Sequence, residues 1–402
     1  MSAIKELSSQ KYWCLLNEGK TFSLLSSPVK VLKIFHNKVC DLQNNNETIQ
    51  DGLSFLESYL EEKKCGPFRD GEGLWVVHSF YEAGYRWNKL ENPFPDSPIA
   101  IILEFEKKSS FDPGALTSSK VSIDWTLPNK DEYHKAFAKG LEHLKRGDCY
   151  QYNLTYPFHG KVREASLEGL IGALWAKPEQ RGEFASFTMI ENDFYLSNSP
   201  ECLFEWDSNG VLESRPIKGT IHLDGLEESE AWKLLQHSEK NESELFMITD
   251  LLRNDMNRID RAVVEVIEKK ALLKVPGLIH SYSHLRVQLS QDISLLTVMR
   301  SLFPGGSITG APKIRVMEVL RDLEGDPRGL YCGSTISRRG DKLVGSINIR
   351  TAVGNLSEGL MTYHAGGGIT FESDGDAEYQ EMVDKFLSVS NLLTSSEKRT
   401  YQ

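Results

Sequence analysis

The order in which apolar runs follow one another constrains this chain more than any other feature. Past Gly147, β-rich runs (Phe184 to Leu196, Leu343 to Val353, Leu360 to Ile369) are interleaved with helical ones (Glu227 to Ile248, Leu295 to Leu302, Lys313 to Leu323, Ala377 to Leu393). They do not keep the strict strand–helix–strand alternation that builds a doubly wound parallel sheet. A large, mostly antiparallel sheet system with helices on its outer faces satisfies the pattern, which makes the class α+β. The first part of the chain fits the same plan. It has strand-like runs at Val29 to Phe35, Leu74 to Phe80 and Ile99 to Phe105, and one amphipathic stretch from Thr48 to Lys64. Ser118 to Lys130 reads as a connector. Tyr133, Phe137, Leu141 and Leu144 then recur at helical spacing up to Gly147, and Tyr150 to Phe158 alternates as a strand. The expected organisation is an N-terminal α/β portion over 1–127, a main region over 128–395 and a polar tail over 396–402.

Composition narrows the function. With 402 residues, 40% hydrophobic and 26% charged, the chain can bury a large core. It has no apolar run of about 18 residues, and Met1 to Gln10 carries charge where a signal peptide needs apolar residues, so the expected location is the cytoplasm, away from membranes. Its six cysteines (Cys14, Cys40, Cys65, Cys149, Cys202, Cys332) include no CxxC pair, which points to reduced thiols. A net charge of −11 opposes nucleic-acid binding. It also means that an anionic substrate must be held by local cations, a metal ion among them.

The candidate chemistry lies in separate segments. Glu378 and Glu381, three apart in a helix, present two carboxylates on one face, with Lys385 a turn further on. Taken alone, that pattern also describes a solvated charged face. Glu242 and Glu244 offer carboxylates from a second helix, ahead of the run Asp250, Arg253, Asn254, Asp255, Arg258. One carboxylate from each helix suits Mg²⁺, which prefers few protein carboxylates. Pro304-Gly305-Gly306-Ser307-Ile308-Thr309-Gly310-Ala311-Pro312-Lys313 lacks phosphate-loop spacing and is either an anion cradle at a helix start or a plain helix-entry loop. Ala365-Gly366-Gly367-Gly368 is a second place where backbone can approach a ligand. In Arg215-Pro216-Ile217-Lys218-Gly219-Thr220, burial of the lysine would favour its neutral, nucleophilic form. His280 alone reads equally as a structural histidine.

In sequence order these segments resemble the chorismate-utilising family that includes anthranilate synthase component I, aminodeoxychorismate synthase component I, and the isochorismate and salicylate synthases. The likeness runs from about Asp131 to Phe386. It is carried by Gly147-Asp148-Cys149-Tyr150-Gln151-Tyr152-Asn153-Leu154, Ser199-Pro200-Glu201, Arg215 to Thr220, Asp250 to Arg258, Pro304 to Lys313, and Ala365 to Gly368 with Ala377 to Glu381. It implies an anthranilate synthase component I-like fold and makes 128–395 a chorismate-binding catalytic region. At Pro216 to Thr220 the anthranilate branch carries Pro-Ile-Ala-Gly-Thr and the aminodeoxychorismate branch Pro-Ile-Lys-Gly-Thr, as here.

The implied activity is conversion of chorismate and ammonia to 4-amino-4-deoxychorismate, leading to 4-aminobenzoate and folate, through an adduct of Lys218 at C2. The resemblance further implies Glu201 as the acid near the departing 4-hydroxyl, His280 beside it, and Glu244 and Glu381 on Mg²⁺ with Glu378 nearby. Thr309, Tyr331, Arg350, Gly367, Gly368 and Lys385 are implied to hold the substrate's carboxylates. No glutaminase segment is evident, so ammonia is expected from a separate glutamine amidotransferase subunit. The rivals are anthranilate synthesis, against which Lys218 argues, and a non-catalytic chorismate-binding relative. Three departures stand out. Asn257 replaces a glycine and is expected in left-handed backbone, Asn241 replaces an acidic residue one turn before Glu244, and a short loop from Val275 to His280 leaves His284 as an alternative histidine. The N-terminal likeness, at Leu24-Leu25-Ser26-Ser27, is faint and carries no regulatory expectation.

Overall fold

Two long strands, Phe22–Ile34 and Ala100–Phe111, organise the molecule. They pair antiparallel from Phe22 opposite Phe111 to Ile34 opposite Ala100, with a register shift between Pro28 and Lys30. The architecture is that of a computed structural model, which describes residue 7 and residues 10–64, 73–116, 121–164, 166–223, 225–275 and 278–393.

From the Phe22 end the sheet continues through Tyr12–Asn17, Ser186–Ile190, Asp193–Ser197, Thr351–Asn355, Leu360–Ile369 and Gln151–Glu164, ending on Ser122–Thr126. From Ala100–Phe111 it continues through Leu74–Ser79, Ser334–Arg339, Lys342–Ile347, Glu201–Trp206 and Val211–Ser214 to Leu278–Gln288 and Glu265–Val275. Every pairing among the described strands is antiparallel, so the expected α+β class with a large antiparallel sheet system holds.

The two halves of this sheet face each other. Between them lie Tyr12, Cys14, Val31, Val76, Phe80, Ile101, Leu103 and Tyr195. Helices cover the outer faces, each burying an apolar stripe. On one side Lys130–Lys145, Leu167–Trp175 and Gly375–Leu393 pack over the first half, where Phe386 stacks on Phe158 at 4.1 Å. On the other, Gly52–Glu61, Glu239–Asp260 and Leu295–Leu302 pack over the second. His78 is buried at the sheet-to-sheet contact, bonded to Thr188 (2.8 Å) and Thr335 (3.0 Å), and burial pulls its pKa down to about 3, so the imidazole is neutral.

Some elements differ from their sequence reading. The connector before Lys130 contains the strand Ser122–Thr126, with residues 117–120 outside the described set. The helical run from Glu227 is two helices, Glu228–Gln236 and Glu239–Asp260, separated where Ser238 caps the second by accepting from Asn241 N. The five described cysteines are free, and no described helix is long and apolar enough to cross a membrane. Cys65, residues 276–277 and the 396–402 tail lie outside the described residues.

Candidate active site

Lys218 lies on the strand Ile217–His222, whose pairing with Leu278–Gln288 is interrupted by a bulge at Gly219. Gly219 has φ +81, and a Cβ there would stand 2.8 Å from Leu235 Cδ1 and 3.2 Å from Asn241 Cγ. Only glycine permits this backbone so close to the two helices behind it. Lys218 is half-buried; its carbonyl accepts from Ser281 Oγ, while its side-chain amine makes no hydrogen bond or ion pair among the described residues. Burial holds its pKa below the ordinary lysine value against the opposing pull of Glu244 and Glu201; Lys385 lowers it further and Glu381 raises it. These charges act on one amine although the chain brings them from three different elements.

Thr220 Oγ1 lies 2.8 Å from His280 Nδ1, which fixes the imidazole two residues beyond Lys218. His284, the alternative histidine, faces Glu213 instead, at 3.3 Å.

Glu201 starts the strand Glu201–Trp206, and its amide donates to Ser199 Oγ at 3.2 Å. Burial pushes its pKa up, with Ser307 and Lys218 pulling back. Among the described residues neither Glu201 Oε1 nor Ser307 Oγ meets a partner in full hydrogen-bond geometry, although both are buried and the two side chains are near enough to act on each other. Gln151 Oε1, beneath Gly368, is in the same condition. Buried polar atoms are normally satisfied, so these oxygens are available to a further partner.

The facing wall is the strand Leu360–Ile369 and the helix Gly375–Leu393. A Cβ on Gly367 would lie 3.2 Å from Glu378 Oε2, 3.7 Å from Lys385 Nζ and 3.8 Å from Glu381 Oε1, so these three side chains converge over its bare backbone. Lys385 Nζ donates to Gly366 O (3.0 Å) and pairs with Glu381 (2.7 Å), while Ser373 donates to Glu378 (2.7 Å). Tyr331 stacks on His364 of the same strand, centroids 5.5 Å apart. Arg350, in left-handed backbone at φ +51, is near enough to act on Tyr363. Thr309 is fully buried and spends its hydroxyl proton on Gly305 O (2.9 Å), while its carbonyl accepts from Asn153 N (2.9 Å).

The acidic groups are spread over two walls, and among the described residues no three His, Cys, Asp or Glu side chains stand close enough to hold a metal by themselves. Two further sequence features have these places in the fold. The Pro304 to Lys313 stretch directs Lys313 inward to Asp255 (2.6 Å), and Gly310 and Ala311 pair with the strand at Tyr152 and Gln151. Asn257 is helical. The left-handed residue is Arg261 (φ +51), and Asn257 Nδ2 donates to Ala262 O at 3.0 Å. Sequence reasoning gave no role to Ser307, Thr220 or Gln151, although each lies inside a motif it singled out.

An antiparallel sandwich carrying a half-buried lysine that is unpaired among the described residues, with carboxylates near it and opposite a glycine strand flanked by cations, defines an enzyme class suited to small anionic substrates. A family of sequences described as chorismate binding enzymes matches residues 113–391, and this chain belongs to it. The chain is 36% identical over 284 residues to aminodeoxychorismate synthase component 1 of Escherichia coli (strain K12), covering 69% of this chain and 60% of that protein. It is 32% identical over 406 residues to the protein of that name in Salmonella typhimurium, covering 90% of this chain and 87% of that one. Its fold is similar to that of anthranilate synthase component I from Streptococcus pneumoniae, with a TM-score of 0.76, 19% identity, and coverage of 97% and 98% of the two chains.

Proposed function

We propose that this enzyme converts chorismate and ammonia to 4-amino-4-deoxychorismate. The carrying observation is Lys218, whose amine has no hydrogen-bond or ion-pair partner among the described residues and whose pKa is drawn below the ordinary lysine value by burial, with Glu244, Glu201 and Glu381 near enough to act on it. The relatives named aminodeoxychorismate synthase component 1 support the same reading.

The neutral Lys218 amine adds to C2, the ring double bonds shift, and the C4–O bond breaks. Glu201, whose protonated form burial favours, gives its proton to the departing hydroxyl, which leaves as water. His280, held by Thr220, orients that hydroxyl. Ammonia then adds at C4, the double bonds shift back, and the C2–N bond breaks to restore the lysine. Two allylic displacements replace one difficult substitution. Arg350 and Lys385 supply positive charge for the substrate's carboxylates, and Gly367 and Gly368 let a carboxylate approach the backbone.

Mg²⁺ fits the donor chemistry. Glu378 and Glu381 over Gly367, and Glu244 beside Lys218, offer hard oxygens too few to enclose an ion, which leaves positions for water and a substrate carboxylate. When bound, it supplies positive charge against the ring carboxylate. Ammonia comes from a separate glutamine amidotransferase subunit in the cytoplasm.

The test is product analysis with chorismate, Mg²⁺ and ammonium chloride, with and without added aminodeoxychorismate lyase. Lyase-dependent 4-aminobenzoate is expected; anthranilate, salicylate or no turnover would overturn the reading.

A further inference from the structure

Arg328 takes no part in the chemistry above, yet it joins both walls of the site. It is 2% exposed and forms a bidentate ion pair with Glu324, Nε to Oε2 at 2.8 Å and Nη2 to Oε1 at 2.7 Å. Nη1 donates to Ile308 O (2.9 Å), Nη2 donates also to Asn153 O (2.7 Å), and the guanidinium lies 4.5 Å from the Tyr81 ring centroid. Glu324 Oε1 in turn accepts from the amide and hydroxyl of Thr155, both at 3.0 Å.

The residues held this way have specific neighbours. Asn153 and Thr155 are the register partners of Gly368 and Gly366, and so bracket Gly367, over which Glu378, Glu381 and Lys385 converge. Ile308 lies between Ser307, the neighbour of Glu201, and Thr309, whose carbonyl takes the Asn153 amide. One guanidinium therefore fixes the glycine wall and the Ser307–Thr309 wall relative to each other. Its donors point at carbonyls and a carboxylate of the chain rather than at open space.

We propose that the Arg328–Glu324 pair is a positioning clamp that sets the spacing between the two walls, and that this spacing governs chorismate affinity. The statement about affinity rests on the function proposed above; the statement about spacing does not. Arg328 acts through Ile308 and Asn153, not on substrate. A lysine keeps the charge and loses the planar fork that reaches three acceptors at once. Misplacement of such walls by about 1 Å is enough to cost up to ~100-fold.

Two measurements test the clamp in the full chain, using Arg328→Lys and the milder Thr155→Val, which removes one bond to Glu324 and suits a strand. In hydrogen exchange, Arg328→Lys is expected to raise rates at least about tenfold in both the Ser307–Thr309 and the Gly366–Gly368 segments. A rise at one segment only, or at neither, overturns the clamp whatever the substrate is. In steady-state assays with ammonium chloride, the KM for chorismate is expected to rise about tenfold or more in Arg328→Lys and about twofold to threefold in Thr155→Val, with kcat within threefold of wild type. Unchanged KM in folded variants of a wild type that turns chorismate over overturns the clamp's role in affinity. A wild type that neither binds nor consumes chorismate overturns the proposed function instead and leaves the exchange result to decide the clamp.

Discussion

Lys218 and Lys313 are both lysines whose pKa is lowered by burial, and the regions around them differ in what meets the amine. Lys313 Nζ lies 2.6 Å from Asp255, itself 1% exposed, and donates to Leu302 O at 3.0 Å. Its charge is matched, and the pair ties the helix Glu239–Asp260 to the helix Lys313–Leu323. Lys218 has carboxylates near enough to act on its pKa, and its amine forms no ion pair within 4 Å of one among the described residues. Burial therefore does not by itself distinguish a reactive lysine; burial without a partner does, because only then is the neutral amine free to attack.

The contrast makes opposite predictions for removing each amine. Lys218→Ala should lower kcat on the order of 10⁴-fold, about 5.5 kcal/mol in the barrier, with the urea midpoint unchanged. Retained turnover would remove the nucleophile. Lys313→Met should leave kcat and KM within about twofold at temperatures well below unfolding and cost about 3 kcal/mol of stability. That is the low end for breaking a buried pair, because Arg258 still pairs with Asp255. Adding Asp255→Leu should restore most of the loss. A Lys313→Met enzyme that is stable but inactive would erase the distinction.

The next effect is smaller and sharpens the Lys218 side. Glu201 must be protonated to act, and burial raises its pKa, so activity should fall as pH climbs through that raised value. Lys218 must be neutral, and burial lowers its pKa, so activity should rise as pH climbs through that lowered value. The pH profile of kcat is expected to be a bell. Glu201→Gln should lower kcat about 100-fold and abolish the alkaline limb alone. Survival of that limb in the variant would assign the acid elsewhere.

Much of the fold was legible because periodicity reports burial. Leu360–Ile369 and Lys313–Leu323 have the bounds their apolar spacing gives. The convergence of Glu378, Glu381 and Lys385 was legible too, since helical spacing alone puts them on one face. Across elements the spacing says nothing. That Lys313 turns inward while Lys218 stays unpaired depends on Asp255, 58 residues before Lys313, and on the Gly219 bulge. The link that Arg328 makes between the walls gave no signal, since beyond Glu324 its acceptors are backbone carbonyls at Ile308 and Asn153, and a carbonyl carries no residue identity.

The weakest expected effect lies at Asn257, on the structural side. A glycine there was expected to ease a left-handed turn, but the turn is at Arg261, and Asn257 lies inside the helix with its side chain bonded to Ala262 O. Asn257→Gly therefore adds backbone freedom to a helical position and removes a hydrogen bond to a carbonyl beyond the helix end. The cost should be about 1 kcal/mol, read as a lower urea midpoint with unchanged slope, and chorismate turnover should not change. A more stable Asn257→Gly would mean that the helix ends at 257 in solution, which would loosen the Asp255–Lys313 tie and narrow the difference between the two lysines.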